Sequence, residues 1–335
     1  MLALWVPVFV AGGAVLVWAG VGVAASGDEI ATRTGAGQLL IGAFLAALAT
    51  SLPEVVSNAS AALADEPALA VGTVFGSSMA NMAILAGLDL VHRGAMLTSV
   101  ELRQARLAAV AIMLTSVAVL GIVDPSDVEI GWIGVYPFVI TGLYLLTLRW
   151  LGPPRVPTLP GPDPLPRPSR LSRLRTAGIG PAARRFAVAA AAIFVAAPVV
   201  VSAAERISDE TGISSGFVGV AFVAVATSLP EVFTSLAAVR IGAYDLAVGN
   251  LLGSNSFNVA SLVVADLFYT RGALMSAVGP VDVIAGLVAI TLMAIALAAI
   301  VVETDEERVG ALEPGPLLLL AAYALGIVVV GAAGI

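Results

Sequence analysis

The chain has 335 residues, of which 59% are hydrophobic and 12% charged, and its mean hydropathy is +1.01. Soluble domains carry roughly 25% charged residues, so a water-soluble fold is excluded, and a net charge of −7, with all 16 basic residues Arg, points to no nucleic-acid partner. The lack of cysteine excludes disulfides, thiolate metal sites and Cys nucleophiles, and a single histidine, His92, excludes a multi-His metal centre.

The apolar runs are about 20 residues long and do not alternate, which reads as membrane helices rather than a membrane β-barrel. Ten spans are expected, at 3–25, 38–63, 67–90, 105–123, 131–150, 186–204, 215–239, 243–268, 279–302 and 314–334. No positive stretch precedes the first run, so it is read as an uncleaved helix rather than a signal peptide. Residues 152–185 are rich in Pro and hold Arg155, Arg167, Arg170, Arg173, Arg175, Arg184 and Arg185 against one acid, Asp163. This segment reads as a flexible linker. It divides the chain into 1–151 and 186–335, each with five spans.

The arginines orient the chain. With the linker placed in the cytoplasm, 14 of the 16 fall on the cytoplasmic side and only Arg206 and Arg271 fall outside. That asymmetry is a strong positive-inside signal. Both termini are then expected outside, in a multi-pass protein of the cell membrane.

The two halves repeat each other. Ala49-Thr-Ser-Leu-Pro-Glu-Val55 recurs as Ala226-Thr-Ser-Leu-Pro-Glu-Val232, an offset of 177 residues. The same offset maps Gly42 to Gly219, Gly72 to Gly249, Gly76-Ser77 to Gly253-Ser254, Asn81 to Asn258 and Asp89 to Asp266. Five spans per half is an odd number, so the second half enters the bilayer inverted. The expected fold class is an all-α integral membrane protein of ten transmembrane helices in two inverted five-helix repeats. Inverted repeats with a site between them are a common transporter design.

Glu54 and Glu231 lie deep in the second and seventh spans, where a carboxylate is costly unless paired or ligated. No Arg lies mid-span to pair with either, so a cation from solution is the expected partner. Pro53 and Pro230 precede them and cannot donate to the carbonyls of Ala49 and Ala226. Carbonyls freed at broken helices are a membrane cation-site device. Thr50, Ser51 and Ala47 share the neighbourhood of Glu54, and Thr227, Ser228 and Ala224 that of Glu231. Ser77 and Asn81 share a face of the third span, as do Ser254 and Asn258 of the eighth. The steps Gly72–Gly76 and Gly249–Gly253 allow close helix approach, pressing these helices toward the glutamates. Every candidate donor is a hard oxygen, which suits Ca²⁺ or Na⁺ and disfavours soft metals. Two glutamates neutralise one divalent cation, and the same cavity could hold Na⁺ or take up protons. Asp89, Asp266 and Asp282 are expected at solvated span ends, and His92 at the surface.

These motifs, with Gly76-Ser-Ser and Gly253-Ser-Asn, resemble the two α-repeats of the cation/calcium antiporter superfamily, and most closely its prokaryotic sodium/calcium exchangers. The resemblance implies a Ca²⁺ ligand set of the Glu54 and Glu231 side chains with the Thr50 and Thr227 carbonyls. It implies Na⁺ sites at Ala47, Ser51, Ser77, Ala224, Ser228 and Ser254, and first and sixth spans that slide as a gate on the other eight. Many such exchangers carry Asp where this chain has Asn258, so this site has two carboxylates where theirs have three. Ser78 also replaces an Asn. Fewer fixed charges favour fewer bound cations, or proton exchange.

The expected function is thus antiport of Ca²⁺ against Na⁺ by alternating access, with Ca²⁺/H⁺ antiport as the alternative. The expected molecule is a monomer in the lipid bilayer, without a resident cofactor and not an enzyme. A passive channel would need a continuous pore, and an intramembrane hydrolase would need a base near Ser51 or Ser228, where no His or Lys lies.

Overall fold

The structure is a computed structural model that describes residues 2–34, 50–92, 96–151, 180–240, 242–301 and 314–334. Ten helices are described. They are α1 (Leu2–Thr34), α2 (Leu52–Leu63), α3 (Pro67–Val91), α4 (Leu102–Val123) and α5 (Val135–Leu151). The second half holds α6 (Gly180–Thr211), α7 (Ser215–Arg240), α8 (Tyr244–Phe268), α9 (Pro280–Val301) and α10 (Pro314–Ala333). Eight of them are long and apolar enough to cross a membrane. The other two are α5, with 17 residues, and α2, with 12. The expected span 38–63 lies partly outside the described residues, as do Ala47, Ala49, Gly42, Arg93 and most of the 152–185 linker.

Helix starts follow the sequence chemistry. Pro67, Pro280 and Pro314 open α3, α9 and α10, where a missing N–H removes no helical bond. The one departure from an all-helical fold is a two-residue antiparallel pair, Glu129–Ile130 with Ile133–Gly134, ahead of α5. Gly131 takes the positive φ of 74° that its two-residue turn requires.

The apolar interior forms two clusters. The larger joins α3, α4, α5, α8, α9 and α10 through Phe75, Met79, Leu114, Leu251 and Leu292. Within it α3 is the central column. Its Phe75 packs at Gly286 of α9 and its Met79 at Gly326 of α10.

The second cluster centres on α1 and α6, which pair through Leu16, Ala19, Val23, Ile193, Ala197 and Val200, and it takes in Val56 and Ala61 of α2, Leu69 and Ala70 of α3, and Val218 and Val223 of α7. A Cβ on Gly12 would fall 2.7 Å from a Val200 methyl, and one on Gly22 would fall 3.2 Å from Ala189. Position advances along α1 as it recedes along α6, so the two helices run antiparallel. Small residues give them the close approach that substitutes for a hydrophobic drive inside lipid. With 33 and 32 residues they extend about 50 Å at 1.5 Å per residue, longer than the ~30 Å hydrocarbon core.

Candidate cation site

The two repeated heptapeptides fold differently. In the first half α2 starts only at Leu52, with Ser51 as its N-cap and Pro53 in its first turn. The Ser51 carbonyl accepts from the Val55 amide at 3.1 Å. Glu54 therefore lies in the first turn of a helix, at the positive end of its dipole. In the second half α7 runs through Pro230, which lies inside the helix. Pro230 has no N–H to offer the Ala226 carbonyl. Upstream, α7 carries a π-helical segment, Gly219–Val223, closed by the Ala224 amide on the Gly219 carbonyl. Such wide turns recur at functional sites.

Glu54, Glu231, Thr50, Thr227, Ser51, Ser228, Ser77, Ser254, Asn81, Asn258 and Ala224 are all buried, none more than 3% exposed. Two contacts across the halves join four of them. Ser228 Oγ donates to Glu54 Oε1 at 3.2 Å, and Ser51 Oγ donates to Ser254 Oγ at 3.3 Å. The side chains of Ser254, Ser51 and Thr50 lie around the Glu231 carboxylate, but neither of its oxygens receives a hydrogen bond of normal geometry. Glu54 and Glu231 are near enough to repel each other. Among the described residues no arginine pairs with either.

The remaining donor set is partly free and partly committed. Glu54 Oε2, Ser77 Oγ, Asn81 Oδ1 and both amide atoms of Asn258 have no hydrogen-bond partner. Thr227 Oγ1 donates to the carbonyls of Val223 and Ala224 at 3.1 and 3.2 Å, which commits its proton to the helix. Asn81 Nδ2 donates to Asn255 Oδ1 at 2.8 Å, and Asn255 Nδ2 donates to the Ser78 carbonyl at 3.4 Å. The Asn255 amide thus fastens α8 to α3 at the site, a role the sequence reading missed. Its signal was the unequal pair Ser78/Asn255 inside an otherwise matched motif.

The first glycine step makes a close helix crossing. On α3, a Cβ at Gly72 would fall 2.4 Å from the Gly216 carbonyl oxygen, and one at Gly76 would fall 2.5 Å from Val220 Cα. These glycines let α7 seat directly on α3, as expected. On α8, Gly249 faces the Gln104 side chain, and Gly253 has nothing within 4 Å among the described residues.

Three acids depart from the expectation of solvated span ends. Asp89 and Asp266 are wholly buried. Asp89 Oδ1 accepts from the amides of Met96 and Leu97 at 2.8 and 3.2 Å. Asp266 Oδ1 accepts from the Leu274 amide at 2.7 Å, and its Oδ2 from the Gly134 amide at 2.9 Å. Leu97 and Leu274 are themselves 177 apart, so both aspartates hold the same chain reversal in the two halves. Asp282 is 1% exposed and accepts from the Gly279 amide at 3.3 Å. These side chains turn inward because backbone amides at the reversals need acceptors. His92 is partly buried rather than a free surface residue, and its ring bonds the Tyr244 hydroxyl.

Chemically, two buried carboxylates without a basic partner are stable only when something positive joins them. Among the described residues no three Asp, Glu or His side chains converge, so the other ligands must be neutral oxygens. Carboxylate, hydroxyl, amide and carbonyl donors suit Ca²⁺ and Na⁺.

Known proteins agree with this architecture. The chain belongs to the sodium/calcium exchanger family, whose model, "Sodium/calcium exchanger protein", matches residues 4–151 and 183–332. Exchangers of this family are membrane antiporters of cations, not enzymes. The chain is 32% identical over 236 residues to the inner membrane protein YrbG of Escherichia coli (strain K12), covering 70% of each. It is 25% identical over 279 residues to the sodium/calcium exchanger MaX1 of Methanosarcina acetivorans, covering 73% of this chain and 77% of that one. The solved structure of the sodium-calcium exchanger NCX_Mj soaked with Na⁺ and Sr²⁺ superposes with a TM-score of 0.59 at 24% identity, covering 98% and 99% of the two chains. That likeness is one of fold.

Proposed function

We propose that this chain exchanges Ca²⁺ for Na⁺ across the cell membrane by alternating access, with Glu54 and Glu231 as the charged ligands. The observation that carries this reading is the burial of both carboxylates, each with an oxygen that no protein group satisfies. Thr50 and Thr227 supply carbonyls, and Ser51, Ser77, Ser228, Ser254, Ala47 and Ala224 supply the oxygens for Na⁺. Asn81 and Asn258 line the site as neutral groups. The chain is read as two inverted five-helix repeats, with both termini outside and the 152–185 linker in the cytoplasm. The pairing of α1 with α6 through small and apolar residues supports reading them as the moving pair.

Charge sets the stoichiometry. Two carboxylates balance one Ca²⁺, two Na⁺ or two H⁺, so the exchange is two for one and electroneutral. The neutral Asn81 and Asn258 favour proton coupling as the second reading, since two carboxylates can also be balanced by two protons.

Flux into proteoliposomes of controlled membrane potential tests both readings. An outward Na⁺ gradient should drive Ca²⁺ uptake that a potential does not alter. Uptake driven by a pH gradient and not by Na⁺ selects the proton reading. Glu54→Gln and Glu231→Gln should each abolish uptake under either, and full activity in both variants overturns the site.

A further inference from the structure

We propose that Ser57 and Asn58, together with the Glu54 carboxylate, form a second cation site on α2, one helical turn beyond the central pair, and that it takes Na⁺. The proposal rests on the antiport reading and deepens it by placing one of the two counter-ions. Residues i, i+3 and i+4 of a helix share a face, so Glu54, Ser57 and Asn58 present their oxygens in one direction. Ser57 and Asn58 are each 1% exposed, and Glu54 is fully buried. Ser57 Oγ, Asn58 Oδ1, Asn58 Nδ2 and Glu54 Oε2 all lack a hydrogen-bond partner. A buried polar atom left unsatisfied costs about 1–3 kcal/mol, so four adjoining ones are a large burden unless a bound species meets them.

The second half of the chain serves as an internal comparison. The offset of 177 maps Ser57 to Thr234 and Asn58 to Ser235. There the same positions are fully engaged. Thr234 Oγ1 donates to the carbonyls of Pro230 and Glu231 at 3.2 and 3.1 Å. Asn250 Nδ2 donates to Thr234 Oγ1 and Ser235 Oγ at 3.1 and 3.2 Å, and Ser235 Oγ reaches the Ala247 carbonyl at 3.5 Å. The first-half counterpart of Asn250 is Thr73, whose hydroxyl is spent on the Leu69 carbonyl at 2.7 Å. Polar residues serving only as glue at this position are thus partnered by protein, and Ser57 and Asn58 are not.

The donor set selects the ion. One carboxylate oxygen, one hydroxyl and one amide oxygen carry a single negative charge, which balances a monovalent hard cation. The Asn58 N–H is left to donate to a water in the ion's shell. Ca²⁺ needs the second carboxylate of Glu231 and stays at the central pair.

Equilibrium binding of radioactive Na⁺ and, in Na⁺-free buffer, of radioactive Ca²⁺ to the purified full chain tests the proposal. Asn58→Leu and Ser57→Ala should each remove one bound Na⁺ per chain or raise its half-saturation about tenfold or more, while Ca²⁺ binding stays within about threefold. Asn58→Asp should tighten Na⁺ binding, the opposite of what an unmet charge in a purely structural position would do. Unchanged Na⁺ count and half-saturation in Asn58→Leu overturns the site. If Asn58→Leu loses both ions, Asn58→Asp decides: tighter Na⁺ binding supports the site, and unchanged or lost binding overturns it. A wild-type chain that binds Na⁺ through Asn58 but binds no Ca²⁺ through Glu231 keeps this site and removes the antiport reading instead.

Discussion

Gly20 of α1 lies directly against Pro230 of α7. A Cβ at Gly20 would fall 2.4 Å from Pro230 Cγ and 3.4 Å from Pro53 Cγ. The first helix therefore crosses the protein at the two prolines that precede the two glutamates. Any movement of α1 along the core must carry Gly20 over both rings. Gly20→Val adds bulk at this crossing, where close packing leaves no room. It should slow Ca²⁺ flux in proteoliposomes by about tenfold or more, equivalent to at least ~1.4 kcal/mol on the barrier, while equilibrium Ca²⁺ binding in detergent persists. Equal loss of binding and flux would mean that the side chain damages the site itself.

Asn258 is buried with both amide atoms unsatisfied. Asn258→Asp adds a third fixed charge at nearly constant volume. The variant should bind one more monovalent cation per cycle and turn an electroneutral exchange electrogenic. A potential imposed across proteoliposomes should then change its rate and leave the wild type unaffected.

Gly76 of α3 packs directly on the backbone of α7. A methyl at Gly76 meets backbone, 2.5 Å from Val220 Cα and 2.6 Å from its carbonyl oxygen. Backbone cannot step aside as a flexible side chain can. Gly76→Ala should cost about 1–3 kcal/mol through overpacking, seen as a lower Tm in detergent.

Asp266 accepts from two backbone amides, Leu274 and Gly134, in separate elements. Asp266→Ala leaves both donors buried without a partner, a loss of about 2–6 kcal/mol at 1–3 kcal/mol per group. Thermal unfolding should show the drop. Asp266→Asn, which keeps one acceptor oxygen, should recover part of it.

Glu66, in the turn between α2 and α3, has its carboxyl raised from the ordinary 4.5, first by burial and then by Glu205, Asp209 and Asp65, against a hydrogen bond from Ser215. A raised acid means that the folded state holds its proton more tightly than the unfolded one. The resulting stability is complete below pH 4.5 and is lost as pH rises from there through the raised value. Glu66→Gln removes this dependence, so its Tm should fall less than that of the wild type between pH 4.5 and neutrality.

Much of this was legible before any coordinates. Span edges such as Pro67, Val123 and Pro314 follow from proline and charge at the ends of apolar runs, and the duplicated Pro-Glu pairs marked both carboxylates. Other features were hidden for physical reasons. Hydropathy cannot separate an acid facing water from one turned inward to cap amides, so Asp89 and Asp266 were expected in solvent. The search for identity between halves also passed over Ser57 and Asn58, because their counterparts Thr234 and Ser235 differ. Likewise the break at Ser51 falls in a Thr-Ser-Leu-Pro-Glu run identical to Thr227–Glu231, which stays helical, so no local pattern encodes it.

The mismatch between Ser78 and Asn255 has a directional consequence. Asn255 grips both Asn81 and the Ser78 carbonyl, and a serine in its mirror position cannot reproduce that bridge. If the two halves trade conformations during transport, the bridge and its counterpart do not trade evenly. The two end states then differ in energy by roughly the net worth of a buried hydrogen bond, about 0.5–1.5 kcal/mol, or a few-fold in population. An ion-free carrier built this way has a resting side, and its affinity measured from that side differs from its affinity measured from the other.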